Sequence, residues 1–366
     1  MTHCGSHLKS VPLAFEQLVS WENLWSAWQN AARGKRRSPT VAQYEFKLAD
    51  NLLGLQARLT EQSYRPGPYH HFFVHQPKTR KVSAAPFEDR IVHHALCQII
   101  EPRFERYFIA DSYANRVGKG THKAVDRFAQ FAQSYRYVLR CDIKQYFASI
   151  DHQLLIAQLC KYLSEEEIVN LISRIVVSGD RVLEDQYTAV YFTGDDLFDI
   201  IRPRGLPIGN LTSQFWSNAY LHQLDVFAKR ELGCRGYLRY VDDFALFAND
   251  RKTLWQWKSA LIGKLAELRL TMHEHSAQVQ PTASGSPWLG FVVYPTHRRL
   301  KGRKLRHSTR HLNRRYAQWR NGAITFAEFD ANVQAWINHA RYADSWRLRE
   351  QILQDFDIRN RFSPLP

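Results

Sequence analysis

The residues of this chain best suited to chemistry are three acids. Asp242 and Asp243 sit side by side in Tyr240-Val241-Asp242-Asp243, with Tyr237, Leu238, Tyr240 and Val241 before them and Phe244, Ala245, Leu246 and Phe247 after. That pattern reads as two short apolar strands joined by a tight turn. Adjacent carboxylates repel and an apolar hairpin offers no counter-ion, so a cation is expected at the tip. A hard divalent ion, which takes oxygen ligands and arrives with a nucleotide's phosphates, meets that need. A polar turn that merely holds two Asp is the plain alternative. A second apolar run, Tyr137-Val138-Leu139-Arg140-Cys141-Asp142-Ile143, also ends in an acid and favours the metal. Phosphoryl transfer through paired ions needs carboxylates from separate strands that converge on one point, and Asp142 with Asp242 would supply them.

This arrangement resembles the palm of the reverse transcriptases, with the strand ending in Asp142 as motif A and Tyr240-Val241-Asp242-Asp243 as motif C. Arg204-Gly205-Leu206-Pro207-Ile208-Gly209-Asn210-Leu211-Thr212-Ser213-Gln214 resembles motif B, with Ile208 where most of the family carries Gln and Gln214 where it carries Pro. The Ile-Gly-x-x-x-Ser-Gln form is similar to the reverse transcriptases of diversity-generating retroelements, group II intron-like bacterial and phage systems. Those systems copy a template repeat into a target gene with errors at adenines. The likeness runs from about Trp21 to Tyr294.

The resemblance implies an α+β right-hand polymerase fold of fingers, palm and thumb, the palm an antiparallel sheet backed by helices. It implies RNA-directed DNA synthesis from a DNA or RNA primer on a template RNA, using deoxynucleoside triphosphates. Two Mg²⁺ ions, for which Mn²⁺ can substitute, would be held by Asp142, Asp242, Asp243 and the backbone carbonyl of Ile143, with Asp243 as the supporting acid. Phe147, five positions after Asp142, would lie under the sugar and leave no room for a 2′-hydroxyl. Lys78, Arg80 and Lys81 of a fingers hairpin would meet the triphosphate, together with Ile208, Gly209 and Gln214. Lys264 corresponds to the motif D lysine that helps pyrophosphate leave, and Trp288 and Gly290 fall in the primer grip. The family also implies a small basic accessory protein oligomer as a partner. Two other readings are a domesticated or antiviral-defence bacterial reverse transcriptase and a non-catalytic, RNA-binding maturase-like protein; three intact acids argue against the second.

The elements that must position these residues can be read from composition and periodicity. The chain has 366 residues, with 50 Lys and Arg against 35 Asp and Glu, a net charge of +15 that favours a polyanionic partner. An aromatic content of 13% adds surfaces on which bases can stack. Five cysteines without a Cys-x-x-Cys pair suggest neither zinc nor disulfides and fit a reducing cytoplasm. No early apolar run suits a signal peptide, and none nears the roughly 20 residues of a membrane span, so no membrane role is expected.

Residues 1–136 read as N-terminal helices and fingers. Trp21, Leu24, Trp25 and Trp28 share a core-facing stripe, and a helix is expected from Val41 to Thr60 through Phe46, Leu48, Leu52, Leu53, Leu55 and Leu59. Tyr69 to Val74 is strand-like, His93 and His94 read as packing residues, and Lys123 to Ser134 reads as a helix. Residues 137–295 form the palm, with a fingers-like insertion at about 160–204 that holds a strand at Val190 to Thr193 and a solvated acidic turn, Gly194-Asp195-Asp196. A helix from Leu254 to Leu270, a strand from Thr271 and one buried strand from Pro287 to Tyr294 complete it. Residues 296–366 read as a basic helical thumb without a further appended domain. From His297 to Arg320 there are ten Lys or Arg and no acid, so Arg298, Arg299, Arg303, Arg306, Arg310 and Arg314 are expected to contact nucleic acid.

Overall fold

Ser20 opens the first long helix by accepting the Asn23 N–H on its hydroxyl. The computed structural model describes residues 15–75, 79–354 and 356. Helices α1 (Phe15–Val19), α2 (Trp21–Ala32), α3 (Pro39–Phe46) and α4 (Leu48–Thr60) precede a hairpin of β1 (His70–Val74) and β2 (Arg80–Ala84) and the long α5 (Phe87–Glu105). Leu24, Ala27 and Trp28 of α2 pack with Ile91, Val92 and Ala95 of α5 in the main core, and Trp25 lies toward solvent. The single helix expected from Val41 is two, because Lys47 leaves helical geometry at φ −125° and ψ 45° and Phe46 turns outward, 86% exposed. His93 is buried, and burial pushes its imidazole down to about 3, so it packs as a neutral ring.

The site rests on a four-stranded antiparallel sheet. Helix α6 (Thr121–Ser134) leads into β3 (Tyr137–Asp142); α7 (Tyr146–Ser149), α8 (His152–Cys160), α9 (Glu166–Ser178) and α10 (Leu211–Val226) separate it from β4 (Gly236–Tyr240) and β5 (Asp243–Ala248). Helix α11 (Arg251–Glu267) and β6 (Val279–Pro281) follow, and the strand order is β4-β5-β3-β6. Side chains alternate across the sheet with period two. Phe244 and Leu246 of β5 join the main core with α10 and α11, whereas Ala245 and Phe247 face a second core with Phe128 of α6. Both faces are covered, so the strands are largely apolar, and the buried Arg239 of β4 is held by Asp225 of α10.

The expected buried strand from Pro287 is a hairpin, β7 (Ser286–Trp288) and β8 (Phe291–Val293), extended by β9 (Arg298–Leu300). Leu289 and Gly290, both at positive φ, make its two-residue turn. Thr271 and Met272 contribute only an isolated bridge to Ile143. Helices α12 (Gly302–Arg320), α13 (Phe326–Ala340) and α14 (Trp346–Gln354) bury Leu312, Phe329, Val333 and Trp336 in a third cluster. That unit docks on α6, where the Tyr342 ring stacks on His122 at 3.8 Å and its hydroxyl donates to Asp126.

Within the insertion, Val190 to Thr193 is irregular rather than a strand. The acidic turn is not solvated at Asp195, whose side chain is 4% exposed and lies 2.8 Å from Arg202. Arg202 and Arg269 both reach Asp151, at 3.4 Å and 2.7 Å, so this ion network ties the segment around 195–202 to the start of α8. Adjacent acids at 195 and 196 do not share one environment, and only the fold brings Arg202 and Arg269 to the first of them.

Candidate active site

Register brings the acids together. In the β3–β5 ladder Asp142 stands directly opposite Asp243, and Tyr240 pairs with Asp243 across a two-residue turn of Val241 and Asp242. The three carboxylates line one cavity of about 550 Å³. Burial, then Asp142 and Asp242, push the Asp243 carboxyl up to about 7. Burial and then Asp142 also raise Asp242, which the nearby Arg80 partly offsets. Asp142 lies at the rim, with His273 Nε2 3.8 Å away. The Asp142 carbonyl and the Lys144 N–H bond to His273 and Thr271, so the carbonyl of Ile143 faces the opposite edge, toward the cavity it lines.

Among the described residues, no three His, Cys, Asp or Glu side chains form a ready-made metal cage. Mg²⁺ does not require one, because it is bound through one or two carboxylates with water and substrate phosphates. Mutually repelling, partly desolvated carboxylates in a cavity of ligand size fit such an ion.

The other expected residues divide. Arg80, Phe147, Ile208, Gly209 and Gln214 line the same cavity. Lys78 lies outside the described residues. Lys81 is turned to Asp185 of the insertion, at 3.2 Å, and does not reach the cavity wall. Lys264 is likewise absent from that wall, since its place on α11 directs it to Glu267 at 2.7 Å and the Phe227 ring. Trp288 is 4% exposed and stacks on Phe128, so it is a core residue, and Leu289 beside it faces the cavity instead. Gly290 holds φ 93°, and a Cβ there would meet Lys304 at 2.9 Å. Arg298 is committed to Asp126 at 2.7 Å and Arg299 lies over the Tyr294 ring. Arg303, Arg306, Arg310 and Arg314 are exposed on α12.

Several contacts that shape the cavity carried no signal in the sequence. Asn210 locks the loop before α10 to β2, accepting from Ala85 N at 3.2 Å and donating to Ser83 O at 3.1 Å. The Ile208 carbonyl accepts from Ser83 N at 2.8 Å, and a Cβ on Gly209 would come within 2.7 Å of Val82, so only glycine fits that approach. The Phe147 carbonyl accepts from Leu206 N, which fixes the ring's backbone against the same loop. Gln145, at φ 47°, exchanges two hydrogen bonds with Thr188 and so ties the insertion over the cavity edge. Such partners lie tens of residues apart, and no local pattern announces them.

Comparison with known proteins adds the following. The family described as "Reverse transcriptase (RNA-dependent DNA polymerase)" matches residues 74–293, more than half of the chain. The group II intron-encoded protein LtrA of Lactococcus lactis subsp. cremoris is 25% identical over 57% of this chain and 33% of its own length. Protein YkfC of Escherichia coli K12 is 22% identical over 59% of this chain and 52% of its own. An uncharacterized 91 kDa protein in the cob intron of Schizosaccharomyces pombe is 30% identical over 38% of this chain and 16% of its own. The chain thus spans about half the length of one of these relatives and a third or less of the others.

Proposed function

The chain belongs to the reverse transcriptase (RNA-dependent DNA polymerase) family, and from that premise we propose that it extends a DNA or RNA primer on a template RNA in the error-prone copying of a diversity-generating retroelement. The observation that carries the polymerase reading is the register that sets Asp142 against Asp243 beside Asp242 in one nucleotide-sized cavity. Asp142 and Asp242, with Asp243 in support and the Ile143 carbonyl at the edge, would hold two Mg²⁺ ions. When bound, such ions lower the barrier by neutralising charge on the attacking primer oxygen and the leaving phosphate. The protein's own part is placement. Arg80 brings positive charge to the triphosphate, Phe147 occupies the space a 2′-hydroxyl would need, and Gly209 lets the backbone approach the base pair. The exposed arginines of α12 would track the template–primer backbone, with Leu289 and Gly290 at the primer terminus. A reducing bacterial cytoplasm suits the free cysteines, of which Cys97, Cys141 and Cys234 are buried.

Primer extension with Mg²⁺ tests this reading. Wild-type protein is expected to extend an RNA-templated primer, and Asp142→Ala to lose that activity by at least about 1000-fold, because a shared ligand of both ions is gone. Near-wild-type extension by Asp142→Ala would sink the assignment. RNA binding without extension by the wild type would point to a maturase-like role.

Ile208 and Gln214, the two motif B departures, both line the cavity, which supports the retroelement reading. Ile208 can only pack against the nascent base pair, and packing discriminates a methylene-sized misfit by roughly 1–3 kcal/mol, less than a hydrogen bond that is made or missing. Ile208→Gln is therefore expected to lower misincorporation opposite template adenine more than opposite other bases. Equal adenine error spectra in sequenced cDNA from both proteins would remove this role. A template and variable repeat pair beside the gene, with a small basic accessory protein, would separate retroelement copying from a defence role.

A further inference from the structure

Val241 holds φ 57° at the first position of the turn that carries Asp242, and Asp242 itself is not at positive φ. A two-residue hairpin turn with that pattern calls for glycine, and a β-branched residue there is strained by roughly 1–3 kcal/mol. Something must hold it. The carbonyl of Val241 accepts a hydrogen bond at 3.0 Å from Arg239 Nη1, and the Arg239 side chain is wholly buried. Its guanidinium is itself fixed from α10. Nε and Nη2 each donate at 2.7 Å to the two oxygens of Asp225, and Nη1 also donates to Asn218 at 3.1 Å. Asp225 is steadied by the Tyr237 hydroxyl, and Asn218 is tied to the Ala114 carbonyl. The fork thus spans the helix and the turn, with one nitrogen available to both Asn218 and the strained carbonyl.

We infer that Arg239, held by Asp225, is a positioning residue that clamps the Val241 carbonyl and thereby aims the Asp242 carboxylate at the cavity opposite Asp142. The pair touches neither substrate nor ion. It acts by making the left-handed conformation at Val241 the stable one, so that the turn does not relax and swing Asp242 aside. This inference rests on the polymerase reading for its activity measurement but not for its metal-binding one.

The test compares Arg239→Lys, which keeps a cation for Asp225 but lacks a second nitrogen for the carbonyl, with the apolar pair Arg239→Met/Asp225→Leu. Each is made with and without Val241→Gly, which adopts positive φ freely. The clamp variants are expected to fold with a lowered melting temperature, because buried hydrogen bonds are lost, and to keep their affinity for template–primer. They should lose roughly 10- to 100-fold in kcat with KM for nucleotide little changed, as a displacement near 1 Å at a reacting group predicts. Adding Val241→Gly should recover at least tenfold of that loss. Mn²⁺ affinity by water-proton relaxation, measured with the metal alone, should fall and recover in the same order. A folded clamp variant with wild-type kcat and Mn²⁺ affinity overturns the inference, as does a loss that Val241→Gly does not reverse. Failure of both clamp variants to fold would make the pair a folding element and overturn it equally. A wild type that extends no primer while Mn²⁺ affinity follows the expected order would refute the polymerase reading and leave the clamp standing.

Discussion

Asp243 is the residue whose environment makes the sharpest prediction. Burial and two neighbouring carboxylates push it up to about 7, against about 3.9 for an ordinary Asp. The folded chain therefore holds this proton more tightly than the unfolded chain does. The resulting stability is complete below about pH 4 and is lost as pH rises through about 7. Without divalent metal, the ionised trio opposes folding by roughly 2–4 kcal/mol at alkaline pH. Asp243→Asn cannot ionise, so in chelator its gain in melting temperature over wild type should be clearly larger at pH 8 than at pH 5. Equal gains at the two pH values would mean that the carboxylates do not repel as their burial implies. The same trio shows how far residue types alone carry the argument: two adjacent acids called for a cation, while the register that sets Asp142 opposite Asp243 emerged only in the folded sheet.

At the scale of elements, α12 joins two roles on opposite faces. Leu312 is buried in the C-terminal cluster, with Leu305, Tyr316 and Trp319 packed against it. At 3.6 residues per turn, Arg303, Arg306, Arg310 and Arg314 fall within roughly 80° on the other side. They form a cationic stripe without an acid. Replacing these four by Gln should leave the fold intact, weaken template–primer binding and flatten its salt dependence, the log–log slope falling by up to about 0.9 for each duplex phosphate that is no longer neutralised. An unchanged slope would make the stripe a solvated face. Arg298 and Arg299 belong to the same basic run but are engaged with Asp126 and with Tyr294, so the run divides by element and not by charge.

Across the whole molecule, α6 couples the central sheet to the C-terminal helices. Asp126 receives Arg298 at 2.7 Å and the Tyr342 hydroxyl at 3.0 Å, partly exposed interactions worth about 1 kcal/mol or less once screened. Asp126→Asn should leave single-nucleotide addition within about twofold and shorten the products made in one binding event, measured with a heparin trap. Product lengths equal to wild type would show that this pairing does not hold the C-terminal unit over the duplex. Among the described residues, no helix is long and apolar enough to cross a membrane, in keeping with the polar balance of the chain.

The sequence by itself determined the helices α6 and α11, the apolar strands β3, β4 and β5, and the three acids at their ends, because periodicity and charge repulsion act within a few residues. The family resemblance pointed to Phe147, Ile208 and Gly209, which line the cavity. The tertiary structure decided which basic groups face the cavity, since Arg80 and Lys81 are neighbours in sequence but alternate across a strand, and Asp185 is present for only one of them. It turned Lys264 to Glu267 and buried Trp288 against Phe128. It also brought Arg239 to Asp225 and to the Val241 carbonyl. Those outcomes depend on register and on partners far apart in the chain, and a buried charge or a strained turn is stable only when those partners arrive together.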